Sequence, residues 1–303
     1  MTPVTVVIAT RDRAEPLGGT LTRLRSLPDP PAIIVVDNGS RDGTAEVAER
    51  AGPDVRVIRL GRNLGAVARN VGVARARTPY VAFADDDSWW AADALPTAAE
   101  LFDRHPRLGL IAARTLVGPA DRLDPMCRFM ASAPLGREPD LPGPSVLGFL
   151  ACGTLVRREA FLAAGGFDPV VFFMGEEARL AYDLAAAGWG MAYCDAVVAH
   201  HHPATGGTPP FRKRALARRN ALLTTWMRRP LRVAVGQTAP LVLRAHRELL
   251  ARQVLADVAR RLPMALRHRR PPSAAVEAAI ATLEAAERVA GFQPLPAEPS
   301  PSR

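Results

Sequence analysis

Short apolar runs and amphipathic helical patterns alternate through the first 84 residues, and that alternation constrains the fold more than any other feature of the chain. Residues 4–9 are apolar or small and uncharged, the pattern of a strand buried on both faces. Leu17, Leu21, Leu24 and Leu27 follow at helical spacing and share one helix face. Residues 33–36 predict a second strand that ends at the turn-forming cluster Asp37-Asn38-Gly39-Ser40. A helix over 44–51, a strand over 55–60, a helix over 66–77 and a strand over 80–84 complete the series. Such a β-α-β order requires a mostly parallel sheet with helices on both faces. Ligands of such sheets bind at the carboxyl ends of strands. The polar clusters after Ala9, Val36 and Ala84 all fall there.

Beyond residue 118 the pattern changes. Residues 119–148 are rich in Pro and Gly and read as a loop region beside the site. Order resumes with a strand over 152–156, a short helix over 158–164, a helix over 176–187, and a pair of short strands around 191–193 and 196–199. From Phe211 the pattern is helical and basic. Residues 211–270 hold 16 Lys and Arg against 2 Asp and Glu, whereas the whole chain carries +9. The expected organisation is therefore an α/β domain over 1–210, a basic helical extension over 211–293 and a disordered tail over 294–303. No apolar run reaches the ~18 residues that a membrane span needs; the best, 233–243, is broken by Gly236, Gln237, Thr238 and Pro240. The start of the chain runs straight into an apparent strand with no basic region or cleavage site, which argues against a signal peptide. Cys127, Cys152 and Cys194 show no metal-like spacing, and an odd count suits a reduced, cytoplasmic setting.

Three constellations carry chemistry. Asp85-Asp86-Asp87 closes an apolar strand, and three adjacent carboxylates repel one another unless a cation shares them. Hard oxygen ligands suit Mg²⁺ or Mn²⁺, with Asp85 and Asp87 as ligands and His200, from the run His200-His201-His202, as a further one. A solvated acidic loop is the plainer alternative. Thr10, Arg11, Asp37, Gly65 and Arg69, together with Asp85 and Asp86, sit on the strand-end loops or the helix that follows, where a nucleotide would lie. Asp37 also suits a simple turn, and Arg69 an ordinary surface position. Glu176 and Glu177 open a helix after Phe172 and Phe173; one would serve as a general base, although acidic residues also favour a first helical turn for dipole reasons alone.

With these motifs the chain resembles the family 2 glycosyltransferases, an inverting group with the GT-A fold. Val6 through Arg13 looks like that family's opening strand, and Val35-Val36-Asp37-Asn38-Gly39-Ser40-Arg41-Asp42-Gly43-Thr44 is the most specific match. Asn63-Leu64-Gly65 with Ala68-Arg69-Asn70-Val71-Gly72, then Phe83-Ala84-Asp85-Asp86-Asp87, continue it. Arg157-Arg158, Gly165-Gly166-Phe167-Asp168 and Gly175-Glu176-Glu177 resemble the acceptor-side motifs. The resemblance implies metal-dependent transfer, with inversion, of a sugar from a nucleotide diphosphate-sugar to a saccharide or lipid-linked acceptor, as in cell-envelope polysaccharide synthesis. It implies Glu177 as the base. Relatives commonly carry an acidic residue and then an arginine later in that helix; here Arg179 and Asp183 reverse the order.

Two other readings use the same residues. A sugar-phosphate nucleotidyltransferase would want a Gly-rich loop after the first strand, which Ala9-Thr10-Arg11-Asp12-Arg13 lacks; a non-catalytic nucleotide-sugar binder would not need the glutamate pair. In the basic segment, Leu250, Val254, Val258 and Leu262 form an apolar stripe bordered by arginines. That pattern suits peripheral contact with the inner face of an anionic membrane through 211–270, or a helix packed on the core. No motif there supports nucleic-acid binding.

Overall fold

The computed structural model describes residues 2–203 and 210–291; the tail expected over 294–303 lies outside them. The predicted alternation is present as β1 (Val4–Thr10), α1 (Ala14–Arg25), β2 (Ala32–Asp37), α2 (Thr44–Arg50), β3 (Val55–Arg59), α3 (Val67–Arg75) and β4 (Tyr80–Ala84). It continues as β5 (Ser88–Trp90), α4 (Ala94–Arg104), β6 (Leu108–Val117), β7 (Arg122–Leu123) and α5 (Pro125–Ala131). A 3-10 turn (Ala151–Gly153) leads into β8 (Thr154–Arg157), α6 (Arg158–Ala163), α7 (Glu176–Ala186) and β9 (Gly190–His201). Among the described residues four helices follow, α8 (Pro210–Arg228), α9 (Leu231–Arg244), α10 (Leu249–Arg267) and α11 (Ala274–Val289).

The strands form one nine-stranded sheet in the order β3-β2-β1-β4-β8-β6-β9-β5, with β7 paired to β6. The first four are parallel, as the alternation requires. Beyond them the sheet becomes mixed, because β8 runs against both β4 and β6. Register decides where the polar loops land. Thr10 lies opposite Asp37 and Ile8 opposite Ala84, so the residues after β1, β2 and β4 emerge together at one edge.

Two expectations change. The two short strands expected around 191–199 are one strand, β9, whose partner jumps from Cys194 to Val198 between Ala113 and Arg114 of β6. The intervening bulge carries the strand on until His201 pairs with Ser88 and His200 with Trp89. Within 119–148, α5 is ordered by Asp124, whose side chain accepts the Met126 N–H at 2.8 Å, with Pro125 opening the helix. A helix of 7 residues is too short to reveal itself by period.

Three cores hold the layers. Leu17, Leu21, Leu24, Trp90 and Phe102 fill one face of the sheet under α1 and α4. Phe83, Phe161, Phe167 and Leu180 fill the other under α3, α6 and α7. The third joins α8, α9 and α10 to Val170 and Val171, through Leu223, Met227, Val254 and Val258. Each such side chain contributes about 1.5–3 kcal/mol on burial. Val254 and Val258 are thus spent on packing, so the apolar stripe of α10 faces the protein.

Candidate active site

The acidic loop is neutralised by arginines from two directions. Asp85 takes Arg69 Nη2 at 2.5 Å. Asp86 accepts Thr10 Oγ1 at 2.8 Å and Arg13 Nε at 2.9 Å, and Asp87 accepts Arg13 Nη2 at 3.1 Å. Burial nonetheless raises the Asp86 carboxyl above its ordinary range, against the opposing pull of Arg13 and Thr10. Thr10, expected at the nucleotide, is buried and supports Asp86 instead. Arg13 was legible only as the end of the first strand's motif, and its role as the counter-cation was not.

The histidine that meets this loop is His201. Its Nε2 lies 3.4 Å from Asp87 Oδ1. Burial alone would lower its pKa, but Asp87 and Asp85 outweigh that and hold it above the ordinary imidazole value. His200, the residue expected there, turns the other way: its Nδ1 lies 3.0 Å from Asp121 and its ring stacks on Trp89, 5.5 Å away and 9° from parallel. Adjacent residues of a strand point to opposite faces, so only one of the two can reach the carboxylates. Cys152 lies at the same place. Its Sγ, a carboxylate oxygen of Asp85 and a ring nitrogen of His201 all fall within 4.8 Å of one another. Burial and the Asp85 charge push that thiol well above its usual pKa.

A cleft of about 480 Å³ opens beside the loop at the ends of β1, β2 and β3, lined by Arg11, Asp37, Ser40, Arg41, Arg59 and Arg62 among others. Four arginines and one buried carboxylate suit an anionic ligand that also presents hydroxyls or a base. Asp37 accepts the Ser40 N–H at 3.1 Å, which shapes the turn and leaves further lone pairs. Asn38 holds the opposite wall: its Nδ2 donates to Gly65 O at 3.0 Å and its Oδ1 accepts the Leu64 N–H at 2.7 Å. Gly65 sits at φ +62° with its α-carbon against the carbonyl of Phe172, where a Cβ would collide. The neighbouring Ala66 N–H donates to that carbonyl at 2.6 Å.

Phe172 therefore joins the cleft to α7. Phe172, Met174 and Gly175 have φ of +69°, +71° and +81°, so the helix begins from a strained turn. Glu176 is buried, with Oε1 3.7 Å from Arg69 Nη1 and Oε2 without a hydrogen-bond partner. Glu177 is half-buried and is the member of the pair that keeps accessible surface. Both carboxyls are raised, by burial first. For Glu176 the charge of Glu177 adds to burial and Arg69 opposes it; for Glu177 the backbone N–H groups of Glu177 and Ala151 oppose it, as does Arg69. Arg69, expected to reach a base or phosphate, is buried between Asp85 and Glu176, and their charges outweigh burial to raise its pKa.

The reversed pair later in α7 has a partner in the extension. Arg179 donates to Gly166 O at 2.6 Å and lies 2.7 Å from Asp183, in ion-pair rather than hydrogen-bond geometry. Asp183 takes Arg228 of α8 at 2.5 Å, and Asp168 takes His268 Nδ1 at 2.9 Å. Asn220 of α8 donates to the carbonyls of Phe173 and Met174, each at 2.6 Å. Part of the basic charge expected on a surface is directed inward: Arg219, Arg228 and Arg229 are buried, and Arg229 is paired with Glu277 and Glu284 of α11.

Residues 5–163 match the family model described as glycosyl transferase family 2. The chain belongs to that family. It is 30% identical over 257 residues to the N-acetylglucosaminyl-diphospho-decaprenol L-rhamnosyltransferase of Mycobacterium tuberculosis, covering 72% of this chain and 83% of the relative. A pre-mycofactocin glycosyltransferase of the same organism is 33% identical over 212 residues, 66% of this chain and 43% of the relative. Among solved structures, the mannosyltransferase PcManGT from Pyrobaculum calidifontis, in complex with GDP-Man and Mn²⁺, superimposes with a TM-score of 0.59 at 20% identity, covering 96% of this chain and 82% of that one. The fold is of the GT-A type, and this family 2 member is a glycosyltransferase that uses a nucleotide-sugar donor.

Proposed function

We propose that this enzyme transfers the sugar with inversion, to a lipid-linked saccharide acceptor, and that Mg²⁺ or Mn²⁺ supports the donor diphosphate. The observation that carries the reading is the convergence of the acidic loop and α7 on Arg69, which lies 2.5 Å from Asp85 and 3.7 Å from Glu176, with the half-buried Glu177 next in the helix. An oxygen of Asp85 and a ring nitrogen of His201 lie together, with Asp87 Oδ1 3.4 Å from His201 Nε2, and such donors fit that cation. Bound there, the ion would hold the diphosphate oxygens and offset the charge that develops as the sugar–phosphate bond breaks. The cleft at Arg11 and Asp37 would take the nucleoside. Glu177 would accept the acceptor hydroxyl's proton as that oxygen attacks the anomeric carbon from the face opposite the leaving phosphate, which inverts the configuration. A carboxyl group raised above its ordinary range suits that task.

The test is a thermal-shift series with UDP, GDP and dTDP. Each nucleotide that binds should stabilise by about 2.7 kcal/mol at 100-fold excess over Kd, with Mn²⁺ or Mg²⁺ present and not with EDTA. Equal shifts in both conditions would overturn the metal assignment.

The lipid-linked acceptor draws support from the decaprenol-linked substrate in the name of the rhamnosyltransferase relative. It draws further support from α9. Leu231, Val235, Ala239 and Val242 are exposed along one line of that helix, with Leu243 and Leu249 exposed beyond and Arg232, Arg244 and Arg247 beside them. An exposed apolar line bordered by arginines suits the surface of an anionic bilayer at the inner face of the membrane. Among the described residues no helix is long and apolar enough to cross a membrane. Co-sedimentation with anionic vesicles at low salt should fall in Val235→Glu/Val242→Glu and stay unchanged in Arg260→Gln on α10; equal binding by all forms would remove α9 from the contact.

A further inference from the structure

We propose that Cys152 is a ligand of the cation at Asp85 and His201, which makes the site selective for thiolate-binding divalent ions, Co²⁺ and Zn²⁺, over Mg²⁺. The proposal rests on the metal reading above and adds a donor to it. The three groups come from separate elements: the loop after β4, the 3-10 turn before β8, and the end of β9. Their convergence is a product of the tertiary fold, which is why the spacing of the cysteines along the chain could not reveal it.

The turn that carries Cys152 is held in place. It packs against β4, β5, β6 and β9. The Gly153 N–H donates to Leu150 O at 3.0 Å, and Thr154 Oγ1 donates to the same carbonyl at 2.7 Å. Gly153 presses on Thr115 Oγ1 so closely that a Cβ would clash, which leaves the turn no room to approach β6 further. The backbone thus presents the sulfur to Asp85 from a fixed base. Bonds of ~2.0–2.3 Å from one ion to oxygen, nitrogen and sulfur place the ligand atoms roughly 3–4 Å apart. The three ligand atoms here, all within 4.8 Å of one another, lie close to that spacing.

The other two thiols behave differently. Cys127 Sγ accepts the Thr115 N–H at 3.2 Å and lies 3.5 Å from Ala113 O, and Cys194 Sγ lies 3.9 Å from Ala192 O. Both are buried sulfurs packed against backbone. Cys152 alone of the three stands with a carboxylate and an imidazole, among the described residues. Thiolate is a soft ligand that Mg²⁺ does not favour and that later first-row ions do. Thr or Ser at this position would leave an ordinary hard site; Cys changes which ion wins.

The test is a Co²⁺ titration of the full chain, followed by the near-ultraviolet sulfur-to-cobalt charge-transfer band. The wild type should show the band saturating at one ion per chain, Cys127→Ser should keep it, and Cys152→Ser should lose it. Competition in Cys152→Ser should show Zn²⁺ affinity weakened by roughly tenfold or more while Mg²⁺ affinity moves by less than about twofold. Because the first measurement is made on the wild type, poor folding of a variant does not decide the outcome; circular dichroism checks the variants. Co²⁺ bound without a thiolate band, or a band that survives Cys152→Ser, would overturn the role of Cys152 and leave the metal site standing. No Co²⁺ or Mn²⁺ retained in equilibrium dialysis would overturn both.

Discussion

The carboxylates of the acidic loop and those of α7 approach the same arginine, Arg69, yet they are held there by different means. On the cleft side the side-chain supports of Asp86 and of the loop at Gly65 come from the parallel block itself, although His201 of β9 also meets Asp87 and the Phe172 carbonyl holds Ala66. Thr10 and Arg13 follow β1 and hold Asp86 and Asp87, and Asn38 follows β2 and holds the loop at Gly65. On the α7 side the supports come from the helical extension. Asn220 holds the turn before Glu176, Arg261 donates to Val170 O at 2.9 Å, and Arg228 and His268 take Asp183 and Asp168. The sheet alone can build a nucleotide cleft. The position of the proposed base depends on α8 and α10, so the extension is part of the acceptor side and not an appendage to it.

The comparison predicts that damage on the two sides separates in kinetics. Glu177→Gln should show the largest effect, a fall in kcat of ~10²–10⁴-fold, with donor affinity nearly unchanged because the cleft is untouched. Asp87→Asn should instead weaken metal-supported donor binding. If Glu177→Gln keeps wild-type kcat while Glu176→Gln loses it, the base has been assigned to the wrong carboxylate. Next in size, Arg228→Met should lower the melting temperature by about 5–10 °C. It leaves the part-buried Asp183 with Arg179 alone, and breaking such a pair costs about 3–5 kcal/mol. Donor binding to the folded fraction should survive. A melting temperature within a degree of wild type would show that the relay through Asp183 does not anchor the extension.

What was legible in the sequence follows the same division. Strand ends are local: the run before Asp37 and the run before Asp85 are each continuous, and the alternation of elements fixes which edge they share. The choice between His200 and His201 was not legible, because it depends on the bulge in β9 and on pairing with β5. Arg69 read as a nucleotide contact or an ordinary surface arginine, since nothing in a helical pattern shows that Asp85 and Glu176 close over it. Arg179 and Asp183 looked like a departure from the family pattern; Arg228, far along the chain, is what completes them. The stripe of α10 was legible as apolar, but whether it meets lipid or α8 depends on a partner that periodicity does not name. The exposed line on α9 escaped notice for the complementary reason, since Gly236, Gln237, Thr238 and Pro240 interrupt its hydropathy while leaving its geometry intact.

The smallest and sharpest test of the comparison lies at Asn220. Phe172 and Met174 are held at positive φ, which costs of order 1–3 kcal/mol for each non-glycine residue. Such a turn persists only where its surroundings over-determine it, and here it is gripped from two sides: Ala66 holds the Phe172 carbonyl, and Asn220 holds those of Phe173 and Met174. Asn220→Leu keeps the volume and removes the second grip. Loss of these buried hydrogen bonds should cost about 1–3 kcal/mol, part of it in melting temperature and part in the population of turns that place α7 correctly. The expected result is a fall in kcat of roughly 5–30-fold, with KM for the donor within about twofold, since the cleft at Asp37 and Asn38 does not touch α8. A purely structural role would lower the melting temperature and leave kcat per folded molecule unchanged. Equal losses in kcat and donor affinity would mean that the two sides are one unit joined at Phe172, and that the division drawn between sheet and extension is false.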